Sequence, residues 1–265
     1  MKKKVIYHIV FLLLFAFFII CSTLLINYYS TGYKNTLKIK KVKNITEKIS
    51  EREIEDFYET NLNKQISASQ KDRIKTFLSY KNFKNINADY CGWLHIPDTK
   101  IDYPVLQSQS IQDFYLDHDF YQDKNSSGSI YLDNACIVGY SNNYIIYGHH
   151  MKDGTMFASL NKYQSKEYYL DHDKMQFDTL YDIGDYQVIS VLKMSESDLN
   201  HSSSFLLAET KDKFNQLTEF INKNKIYDTG QKVYFGDKLL TLITCEYSYK
   251  NGRILIIAKR INEIT

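Results

Sequence analysis

The chain reads as a mainly β protein with helical inserts, a barrel or sandwich of about eight strands, behind an apolar N-terminal helix. Three observations lead there. From about residue 85 the sequence breaks into short apolar runs separated by turn signals. With 23 tyrosines and only two prolines, the composition suits a β-rich fold. Helical periodicity, by contrast, is confined to the first third of the chain and to two later segments.

The elements follow in order. Lys2, Lys3 and Lys4 precede an almost wholly apolar run from Val5 to Ile26. At 1.5 Å per residue this run spans roughly 33 Å, enough for a hydrocarbon core of about 30 Å. A cleavable signal peptide would carry a shorter apolar region followed by small residues. Here Asn27-Tyr28-Tyr29 follow, an interfacial aromatic pair. Residues 1–30 are therefore expected to be a cytoplasmic lysine cluster and an uncleaved single-pass anchor. The N-terminus lies in the cytoplasm, and everything from Ser30 on lies at the extracellular face of the cell membrane.

Residues 31–84 form a charged segment, expected to be an extracytoplasmic helical spacer. Ile45, Ile49, Ile54, Phe57, Tyr58, Leu62 and Ile66 recur at three- and four-residue spacings, and Asp72 to Phe83 predicts a second helical piece. Residues 85–265 hold the globular domain. Its predicted strands are Tyr90–Ile96, Ile101–Leu106, Ser129–Leu132, Asn143–Tyr147, Tyr186–Lys193, Lys232–Phe235, Lys238–Thr244 and Arg253–Ile261. Helical inserts are expected around Met156–Tyr163 and from about Glu209 to Lys225, where Phe214, Leu217, Phe220 and Ile221 share a face.

A net charge of +2, dispersed along the chain, gives no basis for nucleic-acid binding. Of the four cysteines, Cys21 falls in the apolar run, so three remain for the outer domain and at least one of those has no intrachain partner there. Cys91 and Cys136 read as small buried hydrophobes. Cys245 is different. It closes the β-rich run Lys238–Thr244, and Asn251-Gly252 then signals a tight turn before Arg253 opens the next run. Facing residues in such a pair lie roughly 4.5–5.5 Å apart at Cβ. A cation beside a thiol favours the thiolate, and a guanidinium fork can hold an oxyanion.

A thiol enzyme also needs a proton shuttle. His149 and His150 follow the Asn143–Tyr147 strand and Gly148, at a strand end where side chains reach a cleft. His8 lies in the apolar run, His95 in a strand, His201 in a Ser-rich loop, and His118 and His172 sit between aspartates. Solvated or structural roles are expected for these. Metal binding is not expected at His149-His150, because adjacent side chains on extended backbone point apart and no further ligands complete a set.

Several blocks together resemble the sortases, and class B in particular. Thr241-Leu242-Ile243-Thr244-Cys245 is similar to the TLxTC signature, with Arg253 matching the arginine that completes their site. Residues 146–157 (IYGHHMKDGTMF) resemble the YGHxMxDGxMF stretch, and residues 92–105 (GWLHIPDTKIDYPV) resemble GWIxIPxTxIDYPV. Tyr227-Asp228-Thr229-Gly230 before Gly236-Asp237 also matches, and the helix near 209–225 is similar to one that class B inserts between late strands. The resemblance covers residues 85–265 and implies a closed β-barrel of about eight strands.

It further implies a membrane-anchored cysteine transpeptidase of Gram-positive bacteria. Cys245 would be the nucleophile, His149 the general acid/base and Arg253 the electrostatic partner. Tyr147, Ile243, Thr244 and Glu246 are further candidates for lining the substrate groove. Ile243 stands where many class B members carry serine. The implied partners are secreted proteins bearing a C-terminal sorting signal, cleaved at a Thr–Gly-like bond, and a peptidoglycan-precursor or pilin amine. Two other outcomes are a cysteine endopeptidase with water as acceptor and a non-catalytic cell-wall-binding domain. No cofactor is implied. Asp117, Asp119 and Asp123 lack the spacing and glycine of a calcium loop and are expected to form a solvated turn.

Overall fold

Eight strands close into a barrel in the order β1-β2-β3-β4-β7-β8-β6-β5. The structure, a computed structural model, describes residues 2–50, 52–54, 56, 68–248 and 250–261. The strands are β1 (Tyr90–His95), β2 (Asp102–Leu106), β3 (Ile130–Leu132), β4 (Asn143–Tyr147), β5 (Lys174–Thr179), β6 (Ile183–Ser195), β7 (Leu239–Glu246) and β8 (Gly252–Arg260). The helices are α1 (Lys2–Lys43), α2 (Ala68–Leu78), α3 (Tyr80–Ile86), α4 (Lys166–Asp171), α5 (Glu196–Leu206) and α6 (Lys211–Asn224). Closure pairs every strand on both sides, so no sheet edge is left to template association.

Most neighbours are antiparallel, but β2 pairs with β3 and β4 with β7 in parallel. Strand β7 is buried almost throughout, from Leu239 to Thr244, and β8 from Ile254 to Ala258. Such near-continuous apolar runs belong to strands covered on both faces. The interior face packs Leu94, Val105, Ile146, Phe157, Leu242 and Ile256 into one core, to which α6 adds Phe214, Leu217 and Ile221. Each such side chain contributes roughly 1.5–3 kcal/mol on full burial. Phe220, expected on the same helical face, is half-buried and packs edge-on against Phe205 of α5.

One of the eight expected strands is absent and one unexpected strand takes its place. Lys232–Phe235 is not a strand: Tyr234 and Phe235 are exposed, and the backbone turns there through a Tyr234 N–H bond to Asp237 and an Asp237 N–H bond to the Tyr234 carbonyl. Val233, Tyr234 and Phe235 have strand propensity but no neighbouring strand to pair with. The missing member is β5, whose alternation puts Met175 and Phe177 inside. The insert near Met156–Tyr163 is a 3₁₀ helix, Ala158–Gln164, continued by α4. His201 lies on α5 rather than in a loop.

Helix α1 runs unbroken through residue 30, so residues 31–43 continue the apolar helix and lie along the barrel. The helical stretch Lys4–Thr46, which is α1 and the turn after it, is long and apolar enough to cross a membrane. Its later part is anchored by polar contacts. Lys38 pairs with Asp119 and Asp123, Asn35 accepts from the Asn125 amide, and Lys43 bonds Asp102. Gly32 allows the approach, since a Cβ there would meet Asp153 Oδ2 at 2.0 Å. Asp119 is accordingly buried and ion-paired, not part of the solvated turn expected for Asp117, Asp119 and Asp123. Among the described residues no cluster of His, Cys, Asp and Glu is placed to hold a metal.

Of the amphipathic stretch, Ile54 is buried against Ile74 and Ile183 with Ile49 alongside, and Ile45 packs below Trp93 and Tyr115. Phe57, Tyr58, Leu62 and Ile66 lie outside the described residues. Helix α2 docks through Arg73, which forks Asp178 at 2.6 and 2.8 Å and reaches Asp185 at 2.6 Å. With Asp178 buried, losing Arg73 would strand a charge, a loss of about 3–5 kcal/mol.

Asp102 joins α1 to β1, accepting from Trp93 Nε1 at 2.7 Å and from Lys43, with His95 Nδ1 at 3.6 Å. Burial opposes its charge, but the nearby His95 imidazole and the hydrogen bonds from Lys43 and Trp93 outweigh this and hold its carboxyl well below the ordinary 3.8. A carboxylate whose folded value is depressed stabilises the fold fully above that ordinary value and progressively less below it. Asp102→Asn is expected to cost about 1–3 kcal/mol at neutral pH. The gap between variant and wild type should close as pH falls through about 4 towards about 2, read by thermal unfolding. A gap that does not change with pH would mean that Asp102 contributes packing alone.

Candidate active site

The barrel's pairing brings three chain ends to one rim. Because β4 and β7 are parallel, their C-terminal ends lie side by side, with Tyr147 opposite Ile243. The ladder continues one step, as Gly148 N–H donates to the Ile243 carbonyl at 3.2 Å. Thr244 adds a hydroxyl bond of 2.7 Å to the Gly148 carbonyl, so the segment leading to His149 is tied to the segment leading to Cys245. Strand β8 returns antiparallel and starts at the same rim, with Cys245 directly opposite Arg253. The return depends on Asn251 in the left-handed region at φ 57° and on Gly252, where a Cβ would meet the Glu246 carbonyl at 2.5 Å.

A cavity of about 390 Å³ opens between these ends. Its walls include His149, Cys245 and Arg253, together with Tyr147, Ile243 and Thr244. Of the seven residues singled out in the sequence, only Glu246 faces elsewhere. It is buried, 3.3 Å from Lys193 and bonded by Ser248. Burial raises the cost of its charge, but the bonds from Ser248 and Lys193 hold its carboxyl below the ordinary range. It fixes the β7–β8 connection and is not a solvated loop carboxylate. Thr244, with its hydroxyl on Gly148, serves position more than contact.

Each candidate side chain is braced. His149 Nε2 donates to the Leu116 carbonyl at 2.7 Å. The Tyr147 hydroxyl bonds Asp133 at 2.9 Å and its ring lies over Tyr131 at 5.4 Å. Burial, reinforced by the Asp133 charge, pushes the Tyr147 phenol well above its ordinary value. Arg253 donates through one amino group to the Gly252 carbonyl at 3.0 Å and through the other to Glu196 Oε1 at 2.8 Å. A guanidinium has five N–H donors, so others remain for a substrate oxygen. His150 turns away from this cavity, its Nδ1 lying 3.1 Å from the Cys245 carbonyl and 2.8 Å from the Asn161 amide nitrogen.

Helix α5 supplies a wall that the sequence reading missed: Glu196, Leu199, Asn200 and Ser203. Its Ser-rich composition looks like a loop, yet a start signal was present. Ser195 accepts from Asp198 N–H at 3.1 Å, the S-x-x-D pattern that opens a helix. The bracing of His149 by a backbone carbonyl leaves no side-chain signature and was not readable.

The thiols sort by environment. Cys245 is half-buried at the cavity wall, whereas Cys91 and Cys136 are buried and free. Burial drives both core thiols up, Cys136 to about 12 and Cys91 further. Iodoacetamide is expected to alkylate Cys245 at least about 100-fold faster than Cys91 or Cys136 in the folded chain, read by peptide mapping. Comparable rates at all three would place the open thiol elsewhere.

A closed barrel that carries a thiol, an imidazole and a guanidinium around one rim cavity has the layout of a thiol enzyme. The sortase domain matches residues 94–261. The chain is 33% identical over 186 residues to sortase B of Listeria monocytogenes, covering 69% of this chain and 74% of that protein. It is 32% identical over 185 residues to sortase B of Staphylococcus aureus, with the same shares covered. The solved sortase B of Clostridium perfringens superposes with a TM-score of 0.63 at 30% identity, over 69% of this chain and 99% of that chain. The chain belongs to the sortase family and, within it, to class B.

Proposed function

We propose that the chain is a cysteine transpeptidase that cuts a C-terminal sorting signal at a Thr–Gly-like bond and joins the new carboxyl end to a cell-wall amine. The observation that carries the reading is the cross-strand pairing of Cys245 with Arg253 beside a cavity shared with His149. Cys245 Sγ attacks the scissile carbonyl carbon, and Arg253 N–H groups steady the oxygen as negative charge develops. The C–N bond breaks, His149 gives its proton to the departing amine, and a thioacyl enzyme remains. An acceptor amine then loses a proton to His149 and attacks the thioester. The C–S bond breaks and the thiolate returns. The Leu116 carbonyl can only accept, so Nε2 keeps its proton and Nδ1 is the nitrogen that exchanges one.

No observation favours water as acceptor or simple binding over this reading. The domain scheme follows the same reading: residues 1–30 anchor the chain in the cell membrane with the N-terminus inside, residues 31–84 link, and residues 85–265 catalyse outside. The partners are secreted proteins carrying the signal and an amine on a peptidoglycan precursor or pilin. The buried Ile243 narrows the groove wall beside Cys245, so the residue preceding the cut is read against an apolar surface.

The test uses the full chain in detergent micelles with peptides bearing NPxTx, LPxTG and (S/P)PxTG motifs, with and without triglycine or diaminopimelate, read by mass spectrometry. Amine-ligated product that disappears in Cys245→Ala and falls about 10²–10⁴-fold in His149→Ala is the expected result. Hydrolysed product alone would shift the reading to an endopeptidase. Glu196→Gln loosens the Arg253 guanidinium and is expected to lower kcat/KM about tenfold while adding nothing in an Arg253→Ala background. Additive losses would mean that Glu196 acts independently of Arg253.

A further inference from the structure

A second pocket, of about 830 Å³, lies on the His150 side of the Cys245 strand end. Its walls carry Lys100, Lys152, Lys162, His150, His172 and Ser159, against Asp98 as the one carboxylate residue. Three lysines lining one concavity gather positive charge that a bound anion would balance. Among the described residues none of the three is paired with a carboxylate. Lys100 donates to the Asp153 carbonyl at 3.2 Å, and Lys162 lies 5.6 Å over the Tyr168 ring. An independent sign sits on the same wall. The Ser159 hydroxyl is buried with no hydrogen-bond partner, a costly arrangement that a bound acceptor would relieve.

The position of the pocket narrows the ligand. Lys152 N–H donates to the Tyr28 hydroxyl of α1 at 2.9 Å, just past the apolar run that ends at Ile26. Two residues of helix advance roughly 3 Å. If α1 spans the bilayer as read above, the pocket mouth lies at headgroup depth, where phosphate is the prevailing anion. Lysine binds phosphate as a point charge, and a serine hydroxyl can donate to a phosphate oxygen.

We propose that this pocket binds a phosphate group presented at the bilayer surface, held by Lys100, Lys152 and Lys162 with the Ser159 hydroxyl as a neutral donor. His150, which lines the pocket and bonds the Cys245 carbonyl, places that phosphate next to the strand end carrying the thiol. The depth rests on the anchor reading, while the anion chemistry does not.

The test is calorimetric titration of inorganic pyrophosphate into the full chain in uncharged detergent micelles. Saturable binding is expected, weakened at least about tenfold in the Lys152→Gln, Lys162→Gln double variant and retained in the double Lys→Arg variant. Ser159→Ala should weaken pyrophosphate binding without lowering the unfolding temperature. No saturable binding, or binding indifferent to all three changes, overturns the proposal. If the glutamine variant fails to fold, the serine and arginine variants decide alone. Repeating the titration in nanodiscs of phosphatidylcholine with and without phosphatidylglycerol identifies the source. Weaker apparent binding in the anionic discs assigns the pocket to a bulk lipid headgroup, and unchanged binding assigns it to phosphate on another ligand; both support a phosphate site. Pyrophosphate binding needs no peptide turnover, so this result and the transpeptidase result fail separately.

Discussion

The parallel pairing of β4 with β7 is the constraint on which the rest of the molecule depends. Two parallel neighbours end at the same rim, and an antiparallel third strand begins there. His149, just past the end of β4, therefore reaches the same rim as Cys245 and Arg253, although about a hundred residues of chain separate it from Cys245. Parallel neighbours need a long crossover, and here that crossover carries β5, β6, α5 and α6. The segment that permits the pairing thus also supplies the cavity wall. Side chains seated on strand ends are held more tightly than side chains on loops, which suits chemistry that fails when misplaced by an ångström.

The order of polar contacts extends this constraint to the N-terminal helix. Lys38 of α1 holds Asp119 and Asp123, and Asn35 holds Asn125, all in the loop that follows Leu116. The Leu116 carbonyl in turn accepts the hydrogen bond from His149 Nε2. Helix α1 therefore bears on the imidazole through one loop, and the docking of the helix and the pose of the candidate base are parts of one hydrogen-bonded structure. Burial of Asp119 makes the link firm, because a buried carboxylate that lost Lys38 would be left without its ion pair.

Much of this was legible in residues 85–265 read as a sequence. Asn251-Gly252 gave the tight return that sets Cys245 opposite Arg253, and the β-rich runs on either side marked the two strands. The reading failed where local pattern and tertiary pairing disagreed. Val233-Tyr234-Phe235 has strand propensity and no partner, while Lys174–Thr179 carries charges that hid a clean alternation around Met175 and Phe177. Nothing near Asp178 in the sequence marks its burial, because its partner, Arg73, is distant in sequence and lies on α2. Helix α5 was masked by serines that disfavour helix interiors but cap one well at Ser195. Backbone acceptors such as the Leu116 and Cys245 carbonyls leave no trace in residue identity.

Adjacent histidines show how a two-residue motif divides its labour. Extended backbone sends successive side chains to opposite sides, so His149 faces the cavity with the thiol while His150 reaches behind it to the Cys245 carbonyl. Asn161 donates to that same carbonyl at 3.1 Å, and Tyr247 packs its ring 4.9 Å from His150. The strand end that carries the thiol is therefore clamped from the side away from the substrate cavity. A thiol at the end of a strand would otherwise sit where ladder hydrogen bonds run out and fraying begins. With Thr244 tied to Gly148 on one side and the Cys245 carbonyl held by Asn161 beside His150 on the other, the last residues of β7 keep strand geometry up to the thiol. The same clamp makes His150 a wall of the basic pocket, so an anion bound there would act on the backbone of Cys245 through one imidazole, not through the cavity where His149 works.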